Sequence, residues 1–233
     1  SDACSVQAAI GAVNAVAFDI SAACAGFIFA MNIVEGFFKA GIYKTALIIG
    51  AETLSKVTDW SDRGTCVLFG DGAGAAVLKA EETGIIDMMM GADGTKGDVL
   101  ACTSRTVGNF LTGTKPELGF MTMDGQEVFK FAVRKVPESV MELLQRTGTK
   151  KEDIKYYVLH QANERIIEAA ARRLKEPMEK FPMTIGQFGN TSTASIPLLL
   201  DDMIQKDMLK RGDKIIMSGF GAGMTWGAVL MEW

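Results

Sequence analysis

Several features that mark common functional classes are scarce in this sequence. The 233 residues include one histidine and four scattered cysteines without a Cys-x-x-Cys pair, which argues against a zinc site or a dithiol redox motif. The net charge of −4 gives no general attraction to nucleic acid or to an anionic membrane. No apolar run reaches the length of a membrane span, and the first four residues lack the basic start of a secretory signal. These features predict reduced cysteines and a cytoplasmic protein.

The chain has enough apolar residues, 48% of the total, to bury a full core. Its periodicity alternates between strand and helix: a helix over residues 4–13, a strand over 15–20, a helix over 27–38 and a strand over 45–50. Later segments predict helices over 127–136, 137–146, 163–174 and 197–211, with strands over 66–69, 75–79, 156–159, 214–218 and 225–232. Residues 84–125 show weak periodicity and predict loops with short strands.

Two segments have the same order of a strand, a glycine-rich bend and a strand that ends in Ala-Val-Leu. The bends lie at residues 70–74 and 219–223, and each follows an α/β stretch. This similarity predicts a duplicated unit whose first copy lacks its beginning. Both bends precede a strand rather than a helix, so neither fits a dinucleotide-binding loop, and no nicotinamide cofactor is expected.

Cys24 lies where an apolar run meets a helical pattern. Small neighbours, from Ser21 to Gly26, allow a tight turn there. The positive end of a helix favours a thiolate, which makes Cys24 a candidate nucleophile. The alternative is a buried structural cysteine, which is the commoner fate of a free cysteine.

His160 and Asn190 are the other candidate catalytic residues. His160 follows a predicted strand, and the ends of strands in α/β folds are where ligands bind. Asn190 lies in a Gly-Asn loop, which by itself indicates no more than a turn.

Six segments together resemble β-ketoacyl-ACP synthase III, a condensing enzyme of the thiolase superfamily. They are AFDISAACAGF (17–27), VLFGDGAG (67–74), MDGQEVFK (123–130), HQAN (160–163), GNTS (189–192) and GFGAGMTW (219–226). The resemblance implies an α/β, thiolase-like layered fold of two duplicated halves, the first of them truncated at its N-terminus. It implies a division into the remainder of the N-terminal half (1–84), a connecting loop region (85–126) and a C-terminal half (127–233).

The resemblance also implies the chemistry and its residues. Cys24, His160 and Asn190 would form a catalytic triad that condenses an acyl-CoA primer with malonyl-ACP to give 3-oxoacyl-ACP, through an acyl group on Cys24. The backbone amides of Cys24 and Ala222 would form the oxyanion hole, although the family commonly has glycine at the position of Ala222. No metal and no cofactor is implied, since the CoA thioester is a substrate, and a homodimer is expected.

Asn163 would line the site, and Arg165 would help to dock the acidic carrier protein, with a basic face formed by Arg172, Arg173 and Lys175. For these last three residues a solvated charged face is an equal alternative.

Other functions stay open from the sequence. A papain-like protease shares the order Cys, His, Asn but has a Cys-Gly-Ser-Cys-Trp type of signature that this chain lacks. Related polyketide-type condensing enzymes share the triad. A third possibility is a folded but catalytically incomplete fragment that binds a partner or an acyl chain.

Overall fold

The computed structural model describes residues 1–102, 108–116 and 119–233, in which helices and strands alternate. The helices are α1 (Asp2–Ala9), α2 (Gly26–Lys39), α3 (Gly125–Thr147), α4 (Glu164–Leu174), α5 (Ile185–Phe188) and α6 (Ser195–Gln205). The strands are β1 (Thr45–Glu52), β2 (Gly72–Lys79), β3 (Ile85–Ala92), β4 (Leu100–Cys102), β5 (Met121–Met123), β6 (Ile154–Leu159), β7 (Lys214–Gly221) and β8 (Thr225–Glu232). The turns Ala23–Ala25 and Ser192–Ala194 are short 3-10 helices just before α2 and α6.

These elements stack in layers. β1 and β2 form an antiparallel pair, and a separate sheet has the strand order β3-β8-β7-β6, in which β6 and β7 run parallel. Helices α2 and α6 contact strands of both sheets and so lie between them. Helix α3 packs on the other face of the larger sheet, and α4 packs against α3. The core accordingly has two apolar clusters, one on each side of the larger sheet.

Most of the predicted elements are confirmed, with shifted ends. The helix predicted over 197–211 begins earlier and ends at Gln205, and the helix predicted over 4–13 is α1. Residues 66–69 form turns instead of a strand, with an isolated bridge from Phe69 to Asn190. The region predicted as loops and short strands contains the eight-residue strand β3, and residues 103–107 and 117–118 of that region lie outside the described residues.

The strand predicted over residues 15–20 is wrong. Its apolar side chains Val16, Phe18 and Ile20 are exposed, and no described strand pairs with this segment. Alternating apolar residues favour an extended backbone, but a strand also needs a neighbour that satisfies its N–H and C=O groups.

Helix α3 is continuous where two helices were predicted. Pro137 was expected to begin a second helix, yet it lies inside α3 and is buried. A proline has no N–H for the carbonyl four residues earlier, which here belongs to Val133. Arg173 of α4 supplies the missing donor, with its Nη1 at 2.6 Å from the Val133 oxygen. The continuity of α3 therefore depends on a contact that is distant in sequence.

Candidate active site

Cys24 lies on a tight turn that two threonine hydroxyls hold in place. Ala23, immediately before it, has a left-handed backbone with φ of 47°. The Thr193 hydroxyl donates to the Ala23 carbonyl at 2.8 Å, and the Thr225 hydroxyl donates to the Ala22 carbonyl at 3.0 Å. The end of β7 also packs on this turn so closely that a Cβ on Gly221 would lie 2.5 Å from the Cys24 nitrogen. The turn is thus fixed from both sides of the site.

His160 follows β6 and is buried, with 2% of its surface exposed. Its backbone N–H donates to Ser218 at 2.8 Å, which continues the pairing of β6 with β7. The ring nitrogen Nδ1 lies 2.6 Å from the Ser195 hydroxyl oxygen, and the ring meets Phe220 edge-on at 5.5 Å between centroids. Burial lowers the pKa of His160 to about 3, so the imidazole is neutral at physiological pH.

Asn190 is anchored through its backbone and through one end of its side chain. Its backbone N–H donates to the Leu68 carbonyl at 2.8 Å, and its backbone carbonyl accepts the Gly70 N–H at 2.9 Å. Its Oδ1 accepts the Ser192 backbone N–H at 2.9 Å. Because the oxygen is used in this way, the NH2 group is the end of the amide left to donate to a ligand.

Cys24, His160 and Asn190 all line one cavity of about 210 Å³. Apolar side chains surround the three polar groups: Leu68, Phe69, Leu100, Met123, Val128, Phe129, Ile166 and Phe220. The sequence placed these three residues in one site, and the structure brings them together. In such an apolar enclosure hydrogen bonds to a developing charge are stronger than in water.

The thiol of Cys24 does not match the expected thiolate. Burial raises the pKa of Cys24 to about 11, the negative charge of Glu52 adds to this effect, and a hydrogen bond with Ser192 opposes it. Burial therefore opposes the thiolate that the start of the helix was expected to favour, because the charged form loses its hydration.

Two neighbours of the site were not predicted from the sequence. Glu52, at the end of β1, accepts the Ser192 hydroxyl at 2.9 Å and the Thr193 N–H at 3.3 Å. Ser195 contacts His160 directly. The hydroxyl-rich run after Asn190 indicated that side-chain hydrogen bonds form there. Their partner Glu52, however, lies 140 residues from Ser192, and no local sequence pattern connects the two.

The two predicted binding residues lie at the start of α4, and one of them belongs to the cavity wall. Asn163 lines the cavity and is the N-cap of α4, because its Oδ1 accepts the Arg165 backbone N–H at 2.9 Å. Arg165 is exposed. Farther along α4, Arg172 pairs with Glu168 at 3.7 Å, whereas Arg173 is bound to α3 as described above. Arg173 is therefore less available to a partner than the sequence predicted.

Ala222 fits its bend without strain. It lies in the connection between β7 and β8, and it is not among the described non-glycine residues with positive φ. Its carbonyl accepts the Thr225 hydroxyl at 3.1 Å, and that same hydroxyl binds the turn before Cys24. The bend and the Cys24 turn therefore share one threonine.

Within the described ranges no group of three or more His, Cys, Asp or Glu side chains is placed to hold a metal ion. The described helices also include none that is long and apolar enough to cross a membrane.

Comparison with known proteins identifies the family. Residues 18–94 match the model of 3-oxoacyl-[acyl-carrier-protein (ACP)] synthase III, and residues 144–233 match the model of its C-terminal part. The β-ketoacyl-[acyl-carrier-protein] synthase III of Clostridium novyi is 53% identical over 235 residues, which cover 100% of this chain and 72% of that protein. The chain belongs to the β-ketoacyl-ACP synthase III family. It is therefore an enzyme of the condensing acyltransferase type, and the protease alternative is wrong.

Solved structures of family members have the same fold. The synthase III of Aquifex aeolicus is 45% identical with a TM-score of 0.90, and it matches 99% of this chain and 71% of its own. The enzyme of Pseudomonas aeruginosa is 39% identical with a TM-score of 0.94, matching 99% of this chain and 72% of its own. The predicted thiolase-like α/β fold is thus confirmed, and this chain spans about 72% of the length of the β-ketoacyl-ACP synthase III relatives that it matches. The division at residues 84 and 126 stays a prediction.

Proposed function

We propose that this chain catalyses the decarboxylating condensation of an acyl-CoA primer with malonyl-ACP, which initiates fatty acid synthesis. The observation that carries the proposal is one largely apolar cavity lined by a thiol, an imidazole and an amide whose oxygen is already bound to the Ser192 N–H. Membership in the synthase III family supports the same reaction. Cys24 acts as the nucleophile, and His160 and Asn190 act as hydrogen-bond donors.

In the first half-reaction the acyl group moves to Cys24. The Cys24 sulfur, as thiolate, attacks the thioester carbonyl, and the tetrahedral intermediate collapses with loss of the CoA thiolate. The backbone amides of Cys24 and Ala222 bind the oxyanion of that intermediate. This assignment is supported by the close packing of the glycine bend, which contains Ala222, on the Cys24 turn. The thioester itself supplies the activated group, so the proposed chemistry uses no further cofactor.

In the second half-reaction malonyl-ACP loses CO2. The electron pair of the breaking C–C bond moves to the thioester oxygen, where His160 and Asn190 donate hydrogen bonds to the growing negative charge. The enolate carbon then attacks the acyl carbonyl on Cys24, and the Cys24 thiolate leaves as 3-oxoacyl-ACP forms.

The proposed partners follow from the same reaction. Asn163, which lines the cavity, contacts the substrate, and the exposed Arg165, two residues later at the start of α4, helps to dock the acidic carrier protein. A cytoplasmic location agrees with four free cysteines, Cys4, Cys24, Cys66 and Cys102. We also propose a homodimer, because Val16, Phe18 and Ile20 are exposed apolar side chains that association would cover.

A polyketide-type role is the second candidate. The priming β-ketosynthase of the R1128 polyketide pathway is 34% identical with a TM-score of 0.89. The higher identity of the Clostridium and Aquifex synthase III proteins favours fatty acid synthesis.

Separate assays of the two half-reactions test this function. After incubation with acetyl-CoA, peptide mass spectrometry is expected to find the acetyl group on Cys24. His160→Ala and Asn190→Ala are expected to lower release of labelled CO2 from malonyl-ACP by about 10²–10³-fold each, because each removes one donor to the developing oxyanion. In both variants the rate of acetyl loading on Cys24 should fall far less than the rate of CO2 release.

The controls are Cys24→Ala, which should abolish loading, and Cys66→Ala, which should not. Acetylation at Cys66 or Cys102 with Cys24 unmodified would contradict the assignment of the nucleophile. Equal loss of loading and decarboxylation in the His160 and Asn190 variants would show instead that both residues position the thiol. A folded chain that neither loads nor releases CO2 would favour the catalytically incomplete alternative.

A further inference from the structure

Ser195 is in hydrogen-bonding contact with the imidazole that lines the cavity. Its hydroxyl oxygen lies 2.6 Å from Nδ1 of His160 and 3.3 Å from the backbone nitrogen of Gln161. Only 2% of the Ser195 surface is exposed, so water does not compete for these bonds. The serine is the first residue of α6, and the contact thus ties that helix to the end of β6.

These two contacts determine where the hydroxyl proton lies. The Gln161 N–H is a donor, so the serine oxygen accepts from it. In the described part of the chain no other acceptor lies within hydrogen-bonding distance of this hydroxyl besides Nδ1. A buried O–H without an acceptor is unfavourable, so the proton points to Nδ1. Nδ1 is then an acceptor, and a neutral imidazole carries its single proton on Nε2.

The residue whose backbone N–H orients the Ser195 hydroxyl, Gln161, is fixed by hydrogen bonds of its own. Gln161 is buried, its Nε2 donates to the Leu159 carbonyl at 2.8 Å, and its Oε1 accepts the Thr184 N–H at 2.9 Å. The amide N–H of Gln161 therefore has a defined position at the serine oxygen.

We propose that Ser195 is a positioning residue that fixes His160 in the tautomer with its proton on Nε2, the nitrogen available to the cavity. This inference deepens the function proposed above and rests on it for its consequence. An Nε2–H is a donor that acts beside the Asn190 amide on the malonyl thioester, but it is not a base for the Cys24 thiol. Ser195 should therefore matter for decarboxylation and much less for acyl loading.

Nitrogen NMR of the imidazole tests the tautomer without any turnover. The chain has one histidine, so uniform ¹⁵N labelling gives a single imidazole spin system. The full chain is expected to show a protonated Nε2 and an unprotonated Nδ1. Ser195→Ala should give signals averaged between the two tautomers, whereas Ser195→Thr, which keeps the hydroxyl, should restore the original pattern.

Kinetics then test the consequence. Ser195→Ala is expected to lower CO2 release from malonyl-ACP by about 10- to 100-fold, the effect of one misplaced donor, with acetyl loading of Cys24 changed less than about twofold. Ser139→Ala is the matched control, since Ser139 is an equally buried serine whose hydroxyl binds a carbonyl within α3 at 2.8 Å. It should leave both half-reactions and the NMR pattern unchanged.

Three outcomes overturn the proposal: a proton on Nδ1 in the unmodified chain, an unchanged tautomer in Ser195→Ala, or equal loss of loading and decarboxylation. If the unmodified chain shows the Nε2 proton and loses it in Ser195→Ala, but carries out no condensation, the tautomer assignment stands and the proposed function fails. The two inferences are thus separable.

Discussion

Cys24 is a buried thiol in a site that must at some stage bear a thiolate. The carboxylate of Glu52, which accepts the Ser192 hydroxyl, raises the pKa of Cys24 further. Below a pKa of about 11, the fraction of thiolate rises tenfold for each unit of pH. We therefore expect acyl loading to become faster as the pH increases from 7 to 9. His160 stays neutral across this range, so decarboxylation should be nearly independent of pH.

Glu52→Gln tests the influence of this charge. The substitution removes the negative charge but retains a side-chain oxygen for Ser192 and Thr193, so the pKa of Cys24 should fall. The rate of alkylation by iodoacetamide at pH 8 should rise on the order of two- to tenfold, measured by intact mass. Glu35→Gln is the control, because Glu35 pairs with Lys39 on α2. A rate that is unchanged or lower in Glu52→Gln would show that the charge of Glu52 does not act on the thiol.

At this scale the sequence predicted that Cys24, His160 and Asn190 share one site, which the structure brings together, but it did not predict their neighbours. Cys24, His160 and Asn190 each had a recognisable local motif and the right order along the chain. Glu52 and Ser195 act through contacts across 140 and 35 residues of chain, which no local pattern encodes. The raised pKa of Cys24 has the same origin, because burial depends on packing from several elements.

Among the elements, the end of β7 has a strict steric requirement beside the site. Gly221 ends β7 with its backbone directly against the Cys24 turn, and the Phe220 ring lines the cavity beside it. Any side chain at residue 221 would force the bend and the Cys24 turn apart. The geometry of the proposed oxyanion hole thus depends on the absence of a Cβ at residue 221.

Gly221→Ala is expected to disturb both stability and loading. The added Cβ would lie 2.5 Å from the Cys24 nitrogen, so the turn or the bend must shift, at a cost of about 1–3 kcal/mol. For a chain of this size the melting temperature should fall by roughly 2–10 °C in calorimetry, and acetyl loading should fall more than about tenfold. Gly186→Ala is the control, because nothing lies within 4 Å of a Cβ built there. Normal loading in folded Gly221→Ala would contradict the assigned role of this bend.

The elements that were wrongly predicted share a physical cause. Residues 15–20 alternate like a strand but have no described partner, and residues 66–69 are held by a single bridge to Asn190. Pro137 has the features of a helix start, but a side chain from α4 satisfies the carbonyl that it leaves free. In each case the local pattern was clear, and a distant contact decided the outcome.

For the whole molecule, burial differs greatly between the two sheets. Strand β7 is buried along nearly its entire length, and β8 is buried at its centre. In contrast, β1 and β2 are covered on one face only, and the other face exposes Leu47, Ile49 and Val77. The larger sheet therefore has more apolar burial to stabilise it than the pair β1 and β2.

Hydrogen exchange followed by mass spectrometry should report this difference. Amides of β7 and β8 are expected to exchange only through global unfolding, while those of β1 and β2 should exchange through a smaller opening and at least tenfold faster. Peptides from α3 provide an internal reference, because α3 packs on the larger sheet. Equal protection of β2 and β7 would contradict the expectation and indicate that the exposed face is covered in solution.

The bond between Arg173 and the Val133 carbonyl has a consequence for how these sequences change over time. Any residue other than proline at position 137 would let α3 close its own hydrogen bond and would leave the guanidinium of Arg173 without this acceptor. Loss of the arginine while the proline remains would leave the carbonyl without its donor. Positions 137 and 173 should therefore be inherited as a pair, exchanged together or kept together.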